Sequence, residues 1–311
     1  RATRSAVGRV TMRRAKDVVW LGAVWAGTLF VSCLATTAQP QPAKLKILDP
    51  TPKVIVVNGY STSMGQPSWP GMLQQKLDRY FDGKRVIEVK SATKGGTPIA
   101  KWIDVATGEP REPWLSIVRP RLAEAGDRPT IVLCQQSLQW AFGNRRAGIR
   151  SEDDAEHIRQ GADAMEKYVK LLKQDGADLV FLGMHIYKHP MEPAIGNERL
   201  ALAELIRRKI PDVHPGPDVW TPTKELYPEA FAGDLLHPNS VGKAVMAHHW
   251  LATLCKYDGV DVPDWSREEM EQAIEQGVPP AEREADRARR AARRAGRRPP
   301  TEGADGQPEA P

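Results

Sequence analysis

Cysteine is scarce, with 3 in 311 residues. That excludes a disulfide-held scaffold. Long apolar runs are scarcer still. Beyond the N-terminal segment no stretch is long enough to span a bilayer, which excludes a polytopic membrane protein. No internal repeat of 20–50 residues stands out. Nor is there a charge excess in the central part. The chain carries +5 overall, yet residues 39–264 hold 29 basic and 28 acidic residues. The imbalance sits in residues 1–38, with 6 basic and 1 acidic. A nucleic-acid-binding domain needs a basic face on its folded part. None is indicated, so no nucleic-acid partner is expected. What is present is an ordinary apolar fraction of 41%. It supports a globular core and rules out full disorder or a collagen-like chain.

The two ends read differently from the middle. Arg13, Arg14 and Lys16 precede an apolar run from Val18 to Val31, and small residues follow from Ser32 to Ala38. Charge, short apolar stretch and small-residue zone make residues 1–40 a signal peptide or an N-terminal membrane anchor. Export to the periplasm or cell surface is expected, with membrane anchoring as the alternative. Phe30-Val-Ser-Cys33 loosely resembles a lipidation box, with Phe a poor fit at its first position. Residues 265–311 contain an Arg-rich block from Arg287 to Arg298 and an acidic, Pro-containing end. They read as a disordered charged tail, with room for one short helix over Glu268 to Gln276. The foldable domain is then 41–264. Cys134 and Cys255 within it each close an apolar segment and read as buried free thiols.

Residues 53–256 alternate between two hydrophobic periods. Short β-branched runs at 53–58, 85–89, 130–134 and 177–183 read as buried strands. A fifth, short strand is expected at Asp218-Val-Trp220. Helical spacing covers 69–81, 115–125, 152–174, 197–209 and 240–255. Strand-helix alternation implies an α/β fold, a parallel sheet of about five strands with helices on both faces. Such sheets place their sites beyond the carboxyl ends of the strands.

Two of those post-strand segments carry chemistry. Gly59-Tyr-Ser61-Thr-Ser63-Met-Gly65 follows the first strand. A serine at a sharp Gly-flanked turn presents its hydroxyl and its N–H outward, as a nucleophile with an oxyanion donor must. Ser63 is a competing hydroxyl; the spacing to both glycines favours Ser61. Asp234-Leu-Leu-His237-Pro238-Asn239 precedes the last helix. Asp and His three apart on a turn can orient the imbidazole ring through one nitrogen and leave the other free as a base. Pro-Asn fits a helix start.

Together these blocks resemble the SGNH (GDSL-type) hydrolase superfamily over roughly 53–256. The resemblance implies a flavodoxin-like three-layer α/β/α sandwich and ester hydrolysis by a triad. The nucleophile would be Ser61, the base His237 and its carboxylate Asp234. Gly96, in Gly95-Gly96-Thr-Pro-Ile-x-x-Trp102, matches the family's donor glycine, and that phrase also looks like sialate O-acetylesterases. Gln136 falls where the family usually has an Asn donor; Gln135 is the alternative. Tyr60 replaces the family's usual acidic residue before the serine. The implied substrate is a small-molecule or polysaccharide ester, tilted toward O-acetylated carbohydrate, and no cofactor is expected. Trp140, His185 and Tyr187 are candidate sugar contacts. His185, His189 and Glu192 have loosely metal-like spacing, but Pro190 breaks a helical ligand pair, so no metal is expected. A catalytically degenerate, sugar-binding or surface-structural domain on the same fold is the competing expectation.

Overall fold

The computed structural model describes residues 44–144 and 147–295. The expectations for a signal segment, an anchor and Cys33 lie outside these residues. Among the described residues no helix is long and apolar enough to cross a membrane.

Five strands form one parallel sheet: β1 Lys53–Gly59, β2 Ile87–Thr93, β3 Thr130–Gln135, β4 Leu179–Gly183 and β5 Val213–Pro215. Their order is β2-β1-β3-β4-β5, all parallel. This is the flavodoxin-like order, whose switch point lies between β1 and β3. Side chains alternate across a strand. Val54, Val56, Val132, Cys134, Val180 and Leu182 therefore enter one core layer, and Ile55, Val57, Ile131, Leu133, Leu179 and Phe181 enter the other. Strands buried on both faces have no polar side, which is why they read as continuous apolar runs.

The first layer is covered by α2 (Ile99–Trp102), a π-helical turn at Trp114–Val118, α3 (Arg119–Ala123), α4 (Ala155–Gln174) and α5 (Glu198–Arg207). The second is covered by α1 (Trp69–Tyr80) and α7 (Ser240–Asp258), which pack together with Trp69 stacked on Trp250 at 5.5 Å. Ser68 caps α1 by accepting from the Gly71 N–H, and Asn239 caps α7 by accepting from the Gly242 N–H. Cys134 and Cys255 are free and buried. Burial pushes their thiols up to about 12 and about 11, so neither is a nucleophile at neutral pH.

Two segments differ from the sequence reading. The fifth strand is Val213–Pro215, not 218–220. The Asp218 carboxylate accepts from the N–H groups of Trp220 and Thr221 and starts α6 (Trp220–Glu225) instead. Pro215 is tolerated because β5 is an edge strand, where a missing donor costs no ladder bond. Within the expected disordered tail, α8 (Asp264–Gln276) and α9 (Pro280–Ala295) are helical. Lys76 on α1 donates to Glu269, and Arg79 lies 4.4 Å from the Trp265 ring, so α8 is docked on the α1 side. Residues 296–311 lie outside the described part.

Candidate active site

The turn after β1 is set by close packing. A Cβ on Gly59 would lie 2.4 Å from the Ser63 hydroxyl. Ser63 can therefore tuck under the strand end, where its Oγ accepts from Trp69 Nε1 at 2.8 Å. Ser63 is buried and structurally engaged. Ser61 opens a short 3₁₀ turn, Ser61–Ser63. The first residues of such a turn have N–H groups with no acceptor inside it.

Across the crevice, Ser61 Oγ lies 2.9 Å from His237 Nε2, and His237 Nδ1 lies 2.6 Å from Asp234 Oδ2. The other Asp234 oxygen accepts from the N–H groups of Leu236 and His237 at 3.0 and 3.1 Å. Partial burial would raise the Asp234 pKa, but these bonds from the imidazole and the two amides outweigh it and hold the carboxyl well below the usual range. An ionised Asp234 accepts a hydrogen bond from Nδ1–H, which leaves Nε2 to face Ser61. The His237 turn is closed by Ala232 N–H donating to the His237 carbonyl at 2.8 Å and by a bridge between Phe231 and Pro238. Asn239 ties the turn to α7, donating to the carbonyls of Glu229 and Phe231.

A cleft of about 390 Å³ opens beside these groups. It is lined by Ser61, His237, Tyr60, Gly96, Trp140 and Lys188, among others. Gly96 has φ of 73°, a left-handed conformation that glycine adopts without strain. A Cβ on neighbouring Gly95 would lie 4.0 Å from Ser61 Cβ. The turn after β2 thus sits against the serine. Trp140 is 41% exposed at the cleft, with φ of 69°, and Lys101 Nζ lies 5.1 Å from its ring centroid. A non-glycine residue in that region at a cleft points to function.

The two glutamines behave differently from the sequence expectation. Gln136 is fully buried, and its amide donates to Asn58 Oδ1 at 3.0 Å. Tyr168 of α4 donates to the same Asn58 oxygen. Positions 132, 134 and 136 follow the period of two toward the α4 layer, so Gln136 joins a polar cluster beneath the sheet end. Gln135 points to the opposite layer, where it accepts from Trp250 Nε1 at 3.0 Å and donates to the Met184 carbonyl. Neither lines the cleft; Gln139 does.

Glu198 carried no sequence signal. Glu198, at the first turn of α5, is buried and accepts from Ser137 Oγ and the Leu138 N–H, both at 2.9 Å. Burial pushes its carboxyl up to about 8, against the lowering effect of those bonds. From sequence it reads as an ordinary acid at a helix start. His185 lines the cleft with its ring 5.0 Å from that of Tyr60. Its Nδ1 lies 2.5 Å from the Ile186 carbonyl, and burial lowers its pKa well below the usual value, so the ring is neutral. Tyr187 is outside the cleft lining; its hydroxyl donates to Glu192 and lies 3.0 Å from His189 Nδ1.

No protein-family model matches the chain, and no curated protein matches it. Among solved structures it is similar to a member of the lipolytic G-D-S-L family from Veillonella parvula, with 14% identity, 63% of this chain and 95% of that one covered, and a TM-score of 0.41. It is also similar to a catalytic mutant of Axe2, an acetylxylan esterase from Geobacillus stearothermophilus, with 13% identity, 69% and 98% coverage and a TM-score of 0.48. A third is a candidate SGNH hydrolase from Slackia heliotrinireducens, with 20% identity, 64% and 97% coverage and a TM-score of 0.40. The chain is thus similar to SGNH and G-D-S-L hydrolases.

Proposed function

We propose that this chain is a serine ester hydrolase that removes acyl groups, acetyl above all, from a carbohydrate-like alcohol. The observation that carries the reading is the continuous relay from Ser61 Oγ through His237 to Asp234, at 2.9 and 2.6 Å. Ser61 attacks the ester carbonyl while His237 Nε2 takes its proton. Asp234 stays ionised and stabilises the imidazolium formed. The oxyanion rests on the N–H groups of Ser61 and Gly96. His237 then gives its proton to the departing alcohol. In the second half, it deprotonates water, which attacks the acyl carbonyl; the acyl–Oγ bond breaks, Ser61 Oγ takes the proton back from His237, and the acid leaves.

A carbohydrate-like alcohol is supported by the exposed Trp140 face at the cleft and by the polar lining from Gln139 and Lys188. An apolar ring face offers a stacking surface for the C–H side of a sugar, and polar neighbours bond its hydroxyls. The site works beyond the membrane on this reading, since the layout of residues 13–38 supports export. Acetate release from O-acetylated oligosaccharides by the full chain tests the substrate. Trp140→Ala is expected to raise KM about tenfold with kcat held within about twofold, the pattern of a lost ground-state contact. An unchanged KM would remove Trp140 from substrate binding. Saccharide binding by the full chain with no turnover of any ester would support the degenerate-domain reading instead.

A further inference from the structure

The turn that presents Asp234 and His237 is held from outside the α/β sheet. Its internal bonds satisfy the N–H groups of Ala232, Leu235, Leu236 and His237. The Gly233 N–H, one residue before the triad carboxylate, instead donates 2.8 Å to Asp286 Oδ2 on α9. Arg290, one helical turn further along α9, grips the same Asp286 oxygen with Nε at 3.1 Å and Nη2 at 3.0 Å. Its guanidinium lies directly over Gly233: a Cβ there would fall 0.9 Å from Nη2. At the far end of the turn, the Ser240 N–H donates 3.2 Å to Glu282 Oε1, also on α9. One helix thus holds both ends of the Gly233–Ser240 segment. No residue of α9 is buried, and a cleft of about 310 Å³ separates part of it from this segment. Apolar packing therefore does little of the holding. Directed polar bonds, made through backbone N–H groups of the turn, do most of it.

From this arrangement we infer that α9 is part of the catalytic apparatus, with Asp286 and Glu282 as positioning residues that fix the Asp234–His237 turn in register with Ser61. The inference rests on the ester-hydrolase reading for its kinetic consequence, but not for its geometric one. Asp286 does not line the active-site cleft. Its loss should act on the relay and not on substrate binding. A relay misplaced by a fraction of an ångström loses rate without losing affinity.

The experiment compares the full chain with Asp286→Ala, Asp286→Asn and Arg294→Ala. Thermal melts confirm that each variant is folded at the assay temperature. Two readouts are taken: kcat and KM on 4-nitrophenyl acetate, and the low-field proton NMR signal of the imidazole Nδ1–H shared with Asp234. Asp286→Ala is expected to lower kcat about tenfold with KM within about twofold, and to weaken or shift the low-field signal. Asp286→Asn keeps an oxygen acceptor for the Gly233 N–H and should restore most of both. Arg294→Ala, on the same helix without a contact to the turn, should match wild type. Wild-type kcat and an unchanged signal in Asp286→Ala would overturn the inference. Equal losses in the Ala and Asn variants would also overturn it, by assigning the effect to charge. If no variant, wild type included, hydrolyses the ester, the ester-hydrolase reading fails there. The low-field signal alone then decides whether α9 positions the turn.

Discussion

At the residue scale, the site is a set of hydroxyl, imidazole, carboxylate and amide groups whose roles follow from what each one touches. Ser61 and Ser63 have the same side chain two positions apart. Ser63 accepts from Trp69 and is buried, whereas Ser61 faces His237. Their separate fates were legible only in outline, from the flanking Gly59 and Gly65. Asp234 and His237 were legible from spacing, because residues three apart on a turn can meet without help from the rest of the fold. Gln136 was not. Whether its amide reaches the cleft depends on the layer toward which the chain leaving β3 turns it, and the resemblance that suggested it carries no such information. In the structure its NH₂ belongs to Asn58. Gln136→Ala should therefore behave as a buried hydrogen-bond deletion. A stability loss of about 1–3 kcal/mol is expected from urea titration, with kcat/KM on an acetate ester kept within about threefold. A loss of about 100-fold or more in kcat, with stability unchanged, would instead place Gln136 among the oxyanion donors.

Among elements, the strands and long helices were legible because period and length agree. Val54 to Val57 and Ile131 to Cys134 are buried on both faces, and apolar runs that short suit a strand and not a helix. The fifth strand was misplaced by five residues, since Val-Trp near a proline-rich stretch reads as β while the Asp218 cap that starts α6 acts locally. Glu198 shows what the sequence cannot carry at this scale. It sits at the first turn of α5 yet reaches under the segment after β3, so α5 and the stretch that brings Gln139 and Trp140 to the cleft are joined through one buried carboxyl. Its pKa is raised from 4.5 to about 8 by burial. Between those values the folded chain holds a proton that the unfolded chain has released. The stabilisation tied to that proton is therefore full at low pH and is lost as pH rises toward 8, with a slope of at most about 1.4 kcal/mol per pH unit. Urea melts across this window should show stability falling with pH more steeply in wild type than in Glu198→Gln. Parallel profiles for the two proteins would contradict a buried, protonated Glu198.

For the whole molecule, the sheet order matters most. With β1 between β2 and β3, the loops after β1 and β2 and the turn before α7 converge on one crevice. Residues some 176 positions apart come within hydrogen-bond distance there. The near balance of charge over 39–264 set an expectation about partners and said nothing about the fold. The part least legible was the C-terminal one. Arg-rich, alanine-rich sequence carries no large apolar side chain that would announce a docking site. α9 instead meets the turn through backbone N–H groups, which leave no mark in composition. Steady-state hydrolysis of a chromogenic acetate by the full chain, beside Ser61→Ala and His237→Ala, tests the relay most directly. If Ser61 is the nucleophile and His237 its base, wild type turns over while both folded variants fall by at least about 10³-fold. Equal rates in all three proteins, at or above the buffer rate, would contradict it.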